Sequence, residues 1–241
     1  MKKLSIITLM MSLFVINAFA QSPDTIFNKY YQSTGGLPLW KKVKTYTLKQ
    51  SFVANAATDY DMEVKASLTD KSMLKTKTIM KRSFIYGVGT ADAFLKIPTG
   101  SRDKAIVYDV KDLSAKEQSN MKREVDDFLL PFLNYEQKGY IATYVGLEVI
   151  GAQRLHHIEL KGKDIKHDLY FDNITNFLTK AKYKLPSGEE ITQDYNVYTT
   201  SDFGLKYPSA GTYYSSIDKK TVKLTNVFIF NPTFETTTFK R

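Results

Sequence analysis

The sequence contains no cysteine, and this absence limits both its chemistry and its means of stabilisation. Without thiols there is no disulfide, no thiolate metal ligand and no cysteine nucleophile. Histidine occurs three times and tryptophan once. Most arrangements of a nucleophile with a neighbouring base therefore have no candidate residues, and the fold must be held together by buried apolar side chains.

The few histidines do not form a pattern typical of a metal site. His156 and His157 are adjacent, so in an extended strand their side chains point to opposite faces and cannot both bind one metal ion. His167 and Asp168 diverge for the same reason. We expect no metal, no cofactor and no catalytic residue, and the sequence does not indicate an enzyme.

Acidic residues are fewer than basic ones, 25 against 34, which gives a formal net charge of +9. A basic protein can meet nucleic acid, anionic lipid head groups or an acidic partner. The lysines are scattered along the chain, with only loose groups such as residues 41–44. This distribution is typical of a solvated surface, and we expect no nucleic-acid partner.

The first twenty residues have the pattern of a secretory signal peptide. Lys2 and Lys3 form a basic start, residues 4–15 are almost wholly apolar, and residues 18–20 read Ala-Phe-Ala, a cleavage site. A membrane anchor is the alternative, but the apolar run is shorter than the roughly 20 residues that span a bilayer. We expect cleavage after Ala20 and export to a periplasm-like compartment, without lipidation because no cysteine is present.

The remaining chain, residues 21–241, fits one large all-β domain in length. From Val43 onward apolar and polar residues alternate, as in half-buried antiparallel strands. We count about ten or eleven strands. Consecutive, short, one-sided strands in this number favour a single antiparallel sheet, strongly curved into an unclosed half-barrel. A cavity on its concave face and a concave face plugged by side chains are both open at this point.

Two short helices interrupt this β pattern. The first follows an N-cap at Ser22 with proline at the next position and ends at Gly35-Gly36, after which residues 37–40 form an apolar turn. The second begins with a capping box at Ser114 and Glu117 and continues to about Asp127.

An apolar, proline-containing segment follows the second helix. Residues 128–133 contain five apolar side chains and Pro131, and residues 138–139 lead into the next strands. The segment is too short for a long helix and still needs a surface to bury against. We expect it, with the two helices, to cover the concave face of the sheet.

Several of these motifs together resemble the lipoprotein-carrier (LolA-like) superfamily, in particular the exported outer-membrane lipoprotein-sorting proteins common in Bacteroidetes. The likeness is carried by several stretches and covers nearly the whole mature chain. They are the mature start with its helix up to residue 44, the run from residues 113–117 through residues 132–140, and residues 145–151 and 227–232.

The resemblance implies an unclosed β-barrel whose helix-covered concave face holds acyl chains during transit through the periplasm. The expected ligands are lipid or lipoprotein acyl chains, with membrane-bound donor or acceptor proteins as further partners and a monomeric chain. The alternative from a different class is a structural or interaction module of the envelope that binds a protein segment in or along the half-barrel.

Alternation along the strands and the covering segment predict which side chains line the hydrophobic groove. These residues are expected to contact ligand, and no residue is expected to be catalytic. The predicted groove residues are Tyr46, Leu48, Phe52, Tyr60, Met62, Val64, Leu74, Met80, Phe84, Tyr86, Leu130 and Phe132.

Overall fold

A computed structural model describes residues 21–54, 59–100 and 105–241. The predicted signal peptide, residues 1–20, and most of the turn expected at 55–59 lie outside the described residues. Within the described ranges, no helix has both the length and the apolar character needed to cross a membrane.

The described residues form three helices: α1 (Pro23–Ser33), α2 (Leu37–Lys41) and α3 (Ala115–Asp127). The hydroxyl of Ser22 accepts the backbone N–H of Thr25 at 3.2 Å, which satisfies one of the free donors at the start of α1. The predicted count of two helices is one too low. The expected apolar turn at 37–40 closes into the single helical turn of α2, since Pro38 is preset for the first helical positions.

The predicted capping box of α3 is confirmed. Ser114 Oγ accepts the N–H of Glu117 at 3.3 Å, and the Glu117 carboxylate accepts the N–H of Ser114 at 2.8 Å. Hydrogen bonds from Ser114 lower the pKa of Glu117. The helix buries Met121 and Val125, and the phenol of Tyr46 donates to the backbone oxygen of Val125 at 2.7 Å. This bond fixes the position of α3 on the sheet.

In the described part of the chain, thirteen strands form one antiparallel sheet that is not closed. Their order across the sheet is β6-β5-β4-β3-β2-β1-β13-β12-β11-β10-β9-β8-β7, so strands that follow each other in the chain pair, except β6 and β7, and β1 pairs with β13. The strands are β1 (Thr45–Val53), β2 (Tyr60–Ser67), β3 (Ser72–Ile79), β4 (Arg82–Val88), β5 (Ala93–Thr99), β6 (Val107–Asp112), β7 (Ile141–Ile150), β8 (Gln153–Lys161), β9 (Lys166–Asp172), β10 (Leu178–Lys184), β11 (Glu190–Thr200), β12 (Lys206–Ser215) and β13 (Lys220–Phe230).

The predicted fold class, a mainly β chain with one unclosed antiparallel sheet, is confirmed. The predicted number of ten or eleven strands is too low. β6 is one strand that the sequence does not reveal, because five of its six side chains are exposed and no burial alternation marks it. The alternation that identifies β1 and β2 comes from one buried face, which an exposed edge strand lacks.

The connection between β6 and β7 covers the concave face of the sheet. These two strands are the opposite edges of the sheet, so the chain between them must cross from one edge to the other. That connection consists of α3 and residues 128–140, together called the cover below. The hydrogen bond from Tyr46 of β1 to Val125 shows that the cover crosses the concave face, as predicted for the apolar segment.

Phe132 anchors the cover to α1 and to the sheet. Its side chain is fully buried and stacks on Phe27 with 4.8 Å between ring centroids. It also makes edge contacts with Tyr30 at 5.1 Å and with Phe171 of β9 at 5.4 Å. The phenol of Tyr31 donates to the backbone oxygen of Phe132 at 3.1 Å. The middle of the cover is therefore part of the hydrophobic core.

Candidate ligand-binding cavity

A cavity of about 590 Å³ lies between the concave face of the sheet and the cover. Volumes of this order are typical of small-molecule and cofactor sites. Nine adjacent strands, from β4 through β1 and β13 to β9, contribute to its wall, which requires the sheet to curve around it. The apolar part of the strand wall includes Leu48, Phe52, Leu169, Leu178, Ala181 and Phe228.

Half of the predicted groove residues are on the wall of this cavity. Three others, Tyr46, Val64 and Phe132, are fully buried in the core and do not reach the wall. Contact of any of these residues with a ligand stays a prediction. The predicted residues on the wall are Leu48, Phe52, Tyr60, Met62, Tyr86 and Leu130.

Leu74 and Met80, which were predicted to line the groove, do not lie on the cavity wall. Directly paired residues of antiparallel strands share a face. Val64 is buried on the concave side, so its neighbour Lys65, and Leu74 opposite Lys65, face the convex side. Met80 lies in the turn after β3, at φ +50° and 55% exposed. Phe84 is half-buried and stands outside the cavity wall.

The concave side of β3 carries two lysines. Lys75 pairs with Val64 and Lys77 with Met62, and both lysines are on the cavity wall. Because lysine prefers water, composition alone favours the opposite face of this strand for the cavity. The turn at 68–71 determines the pairing of β2 with β3. Counting outward from this turn places Lys75 beside Val64 and so identifies the face on which Lys75 lies.

Residues 128–131 and the last turn of α3 form the roof of the cavity. Two ion pairs join α3 to β3 and to the turn before it: Lys71 Nζ of the turn lies 2.6 Å from Asp126, and Lys75 Nζ of β3 lies 2.6 Å from Glu124. Lys71 is about half exposed, so water and salt screen its pair strongly. The Lys75 pair, with both side chains about one-fifth exposed, is the better shielded tie.

A buried polar cluster surrounds Asp127 at the end of α3. The phenol of Tyr140 donates to Asp127 Oδ2 at 2.7 Å. Arg123 Nε stands 3.4 Å from Oδ2, and Lys138 Nζ stands 3.6 Å from Oδ1. His167 of β9 reaches to within 3.9 Å of Oδ2. Asp127 thus connects α3, the end of the cover and the sheet.

Burial shifts the pKa values of this cluster away from their ordinary ranges. Burial raises the pKa of Asp127, against the lowering effect of Lys138, Tyr140 and Arg123. Burial lowers the pKa of Lys138, against the raising effect of Asp127. Burial, with help from Lys138 and Arg123, lowers the pKa of His167 to about 3. His167 is therefore neutral near pH 7.

Sequence reasoning did not identify this cluster as part of the site. Arg123, Asp127 and His167 all line the cavity, although His167 is only 5% exposed. The signal was weak, since Asp127 looked like an ordinary acid near a helix end. His167 lies in β9, thirty-nine residues after the first residue that follows α3. Only the tertiary structure brings it close to Asp127.

The adjacent histidines make different contacts, as their alternation predicts. His156 Nδ1 lies 3.1 Å from the phenol oxygen of Tyr144. His157 lies between two carboxylates, 2.6 Å from Glu148 and 2.9 Å from Asp168. Across the described part of the chain, no group of three or more histidine and carboxylate side chains is arranged to hold a metal ion.

Part of the roof also separates the main cavity from a second space. This second cavity, of about 390 Å³, lies on the other side of Trp40, Leu129 and Leu130, which line both. Trp40 is 2% exposed and its Nε1 donates to Thr34 Oγ1 at 2.9 Å. Trp40, Leu129 and Leu130 thus form a partition between the two spaces.

Comparisons with solved structures identify the fold. A LolA superfamily protein from Nitrosomonas europaea matches with a TM-score of 0.57 at 14% identity, covering 92% of this chain and 99% of that one. A domain described as an outer membrane lipoprotein-sorting protein, from Vibrio parahaemolyticus, matches with a TM-score of 0.50 at 13% identity, covering 89% and 94%. No family model and no curated protein matches the sequence.

Proposed function

The chain has a LolA-like fold, and from this premise we propose that it binds lipid, or the acyl chains of a lipoprotein, in the main cavity and carries them without enzymatic chemistry. We further propose that it works as an exported, periplasmic monomer that exchanges its ligand with membrane-bound donor or acceptor proteins. The observation that carries the proposal is the cavity of about 590 Å³ between the sheet and the cover, with its largely apolar wall.

The energetics of such a wall favour an acyl chain. Each methylene that leaves water contributes about 0.8 kcal/mol, so a chain of ordinary length gains affinity without specific polar contacts. The wall offers side chains such as Leu48, Leu178 and Phe228 for this purpose. The roof, formed in part by Leu129 and Leu130, covers the bound acyl chain from the other side.

The direct experiment is to purify the exported protein from its native type of host, extract it with organic solvent and identify the extract by mass spectrometry. We expect acyl lipid, or an acylated protein, in near-stoichiometric amount. Ala181→Phe places a large side chain on the cavity wall, where Ala181 is 5% exposed, and should reduce the bound lipid several-fold.

The matched control is Val227→Phe, which adds an aromatic ring at a position that is 50% exposed on β13. This variant should keep the wild-type amount of lipid. A wild-type extract free of lipid, or equal lipid in the Ala181→Phe and Val227→Phe proteins, would contradict the proposal.

A second candidate, a module that binds a protein segment by strand addition, is favoured by the edge strand β7. Ile141, Val145 and Val149 are 70%, 53% and 72% exposed, and one side of β7 has no neighbouring strand in the sheet. An exposed apolar edge is a template for pairing with another chain. One stoichiometric protein partner, together with a lipid-free extract, would favour this candidate over lipid binding.

A further inference from the structure

A buried acceptor oxygen without a partner belongs to a side chain that lines the main cavity. Gln50 of β1 is 7% exposed and lines the cavity. Its Nε2 donates to Asn226 Oδ1 at 2.9 Å, and Asn226 Nδ2 donates to the backbone oxygen of Pro208 at 3.0 Å. Among the described residues, nothing donates a hydrogen bond to Gln50 Oε1.

The orientation of the two amides is determined by the end of this chain of bonds. The backbone oxygen of Pro208 only accepts, so Asn226 must turn its NH₂ group toward it. Asn226 Oδ1 therefore faces Gln50 and accepts a hydrogen bond from the NH₂ group of Gln50. The oxygen of Gln50 is then the one acceptor of this pair that has no donor. Buried acceptors nearly always have a donor, so this one is suited to a donor from a ligand.

Lys77 provides a cation on the same wall. Its Nζ lies 4.0 Å from the ring centroid of Tyr60. The other wall cations have acidic neighbours: Lys75 pairs with Glu124, and Arg123 stands beside Asp127. In the described part of the chain, no carboxylate lies within ion-pair distance of Lys77. Its charge is therefore open to an anionic group in the cavity.

The strand register places these two groups in one row across the sheet. Gln50 pairs with Met62, and Met62 pairs with Lys77. Neighbouring strands lie about 4.8 Å apart, so the backbones at Gln50 and Lys77 are separated by about 10 Å. Both side chains reach the cavity wall. One compact polar group lying over Met62 can contact both of them.

We propose that the cavity selects phospholipids whose head group carries both an anionic oxygen and a hydrogen-bond donor. The anionic oxygen binds Lys77, the donor binds Gln50 Oε1, and the acyl chains occupy the apolar remainder of the cavity. This inference rests on the proposed function and adds to it the chemical class of the head group.

Two kinds of donor meet this description: a hydroxyl, as in phosphatidylglycerol, and an ammonium, as in phosphatidylethanolamine. Glu189 also lies on the cavity wall, where it accepts a hydrogen bond from the hydroxyl of Ser215. Its negative charge attracts an ammonium and repels a second anion. Phosphatidylcholine has the phosphate without a donor, and a monoacylglycerol has hydroxyl donors without a charge.

The experiment measures Kd by calorimetry for these four amphiphiles, in short-chain forms, on the delipidated mature protein. Wild type should bind phosphatidylglycerol or phosphatidylethanolamine about five- to tenfold more tightly than phosphatidylcholine or the monoacylglycerol. Gln50→Leu should remove the preference over phosphatidylcholine. Lys77→Met should remove the preference over the monoacylglycerol. The control is Lys49→Met, which deletes an exposed lysine of β1 and should leave all four Kd values unchanged.

The outcomes separate this inference from the proposed function. Equal affinity of wild type for all four amphiphiles, or full preferences retained in both variants, would overturn the head-group inference and leave lipid binding intact. Absence of binding by all four would overturn both. A tighter complex with phosphatidylethanolamine identifies the donor as an ammonium beside Glu189, and one with phosphatidylglycerol identifies it as a hydroxyl. Lys77→Met tests the inference even if Gln50→Leu impairs folding, because Lys77 is only half-buried.

Discussion

At the scale of single residues, the cluster around Asp127 links the cover to the sheet through charges that are costly to bury. Asp127 has two cations near it, and Tyr140 supplies its one short hydrogen bond. His167 stands on the sheet side as a neutral base. Removing one charge from such a group leaves the others buried without compensation. The packing of the cover against the sheet is therefore sensitive to protonation of this cluster.

The lowered pKa of His167 predicts a loss of stability in acid. An unperturbed histidine titrates near 6.5, whereas His167 in the folded chain titrates at about 3. Its contribution is complete above about pH 6.5 and is lost as pH falls toward 3, because only the unfolded chain takes up the proton. The raised pKa of Asp127 acts in the opposite sense, since its contribution is present at low pH and lost as pH rises.

We expect His167→Gln to reduce the loss of unfolding free energy between about pH 7 and about pH 5 by up to about 2 kcal/mol. Urea unfolding at the two pH values measures this difference. His157→Gln is the control, because it changes a histidine of the neighbouring strand and leaves His167 in place. If His167→Gln loses as much stability in acid as wild type, the buried neutral state of His167 is wrong.

At the scale of elements, the cover combines an anchor with a partition. Phe132 packs between α1 and β9, whereas Leu130, two residues earlier, separates the two cavities. The two residues are almost equally buried, at 0% and 5% exposure. Their different neighbours give the same kind of substitution different consequences.

Phe132→Ser should lower the free energy of unfolding by about 3–5 kcal/mol, because it removes a fully packed ring and leaves a cavity. Thermal unfolding measures this loss.

Leu130→Ser should speed the dissociation of bound lipid about tenfold, because it removes apolar contact with the ligand and joins the two cavities. The rate of lipid transfer to vesicles measures this effect. If lipid retention in Leu130→Ser is unchanged and only the melting temperature falls, the segment belongs to the hydrophobic core and has no part in holding lipid.

The sequence predicts the elements better than it predicts the faces of the strands. Ser114 and Glu117 identify the start of α3 because capping uses a fixed local spacing. Lys75 and Lys77 misled the prediction, because the face of a strand depends on pairing with β2 and not on its own composition. Gln50 could not be singled out, since its free oxygen results from a bond to Asn226, far away in sequence.

At the scale of the whole molecule, one sheet of thirteen strands curves around a space that the cover closes from one side. Alternation along the strands was sufficient to predict a single curved sheet with a covered concave face. The choice between an open cavity and a plugged one was beyond the sequence, because it depends on how closely the cover approaches the sheet. The cavity of about 590 Å³ decides it in favour of open space.

Such a space predicts that ligand stabilises the whole fold. A ligand that binds only the folded chain, at a hundred times its Kd, adds about 2.7 kcal/mol to the free energy of unfolding. For a chain of this size, that corresponds to a rise in melting temperature of about 5–10 °C. Calorimetry of delipidated and lipid-loaded protein measures the rise. Identical melting curves at saturating lipid would contradict binding in the cavity.

The position of Trp40 has an optical consequence. It is the single tryptophan of the chain, is shielded from water and lies on the partition that borders both cavities. The tryptophan emission of the protein therefore comes from one indole beside the ligand space. Filling or emptying that space changes the surroundings of the one tryptophan, so the chain carries its own spectroscopic reporter of occupancy and needs no added dye.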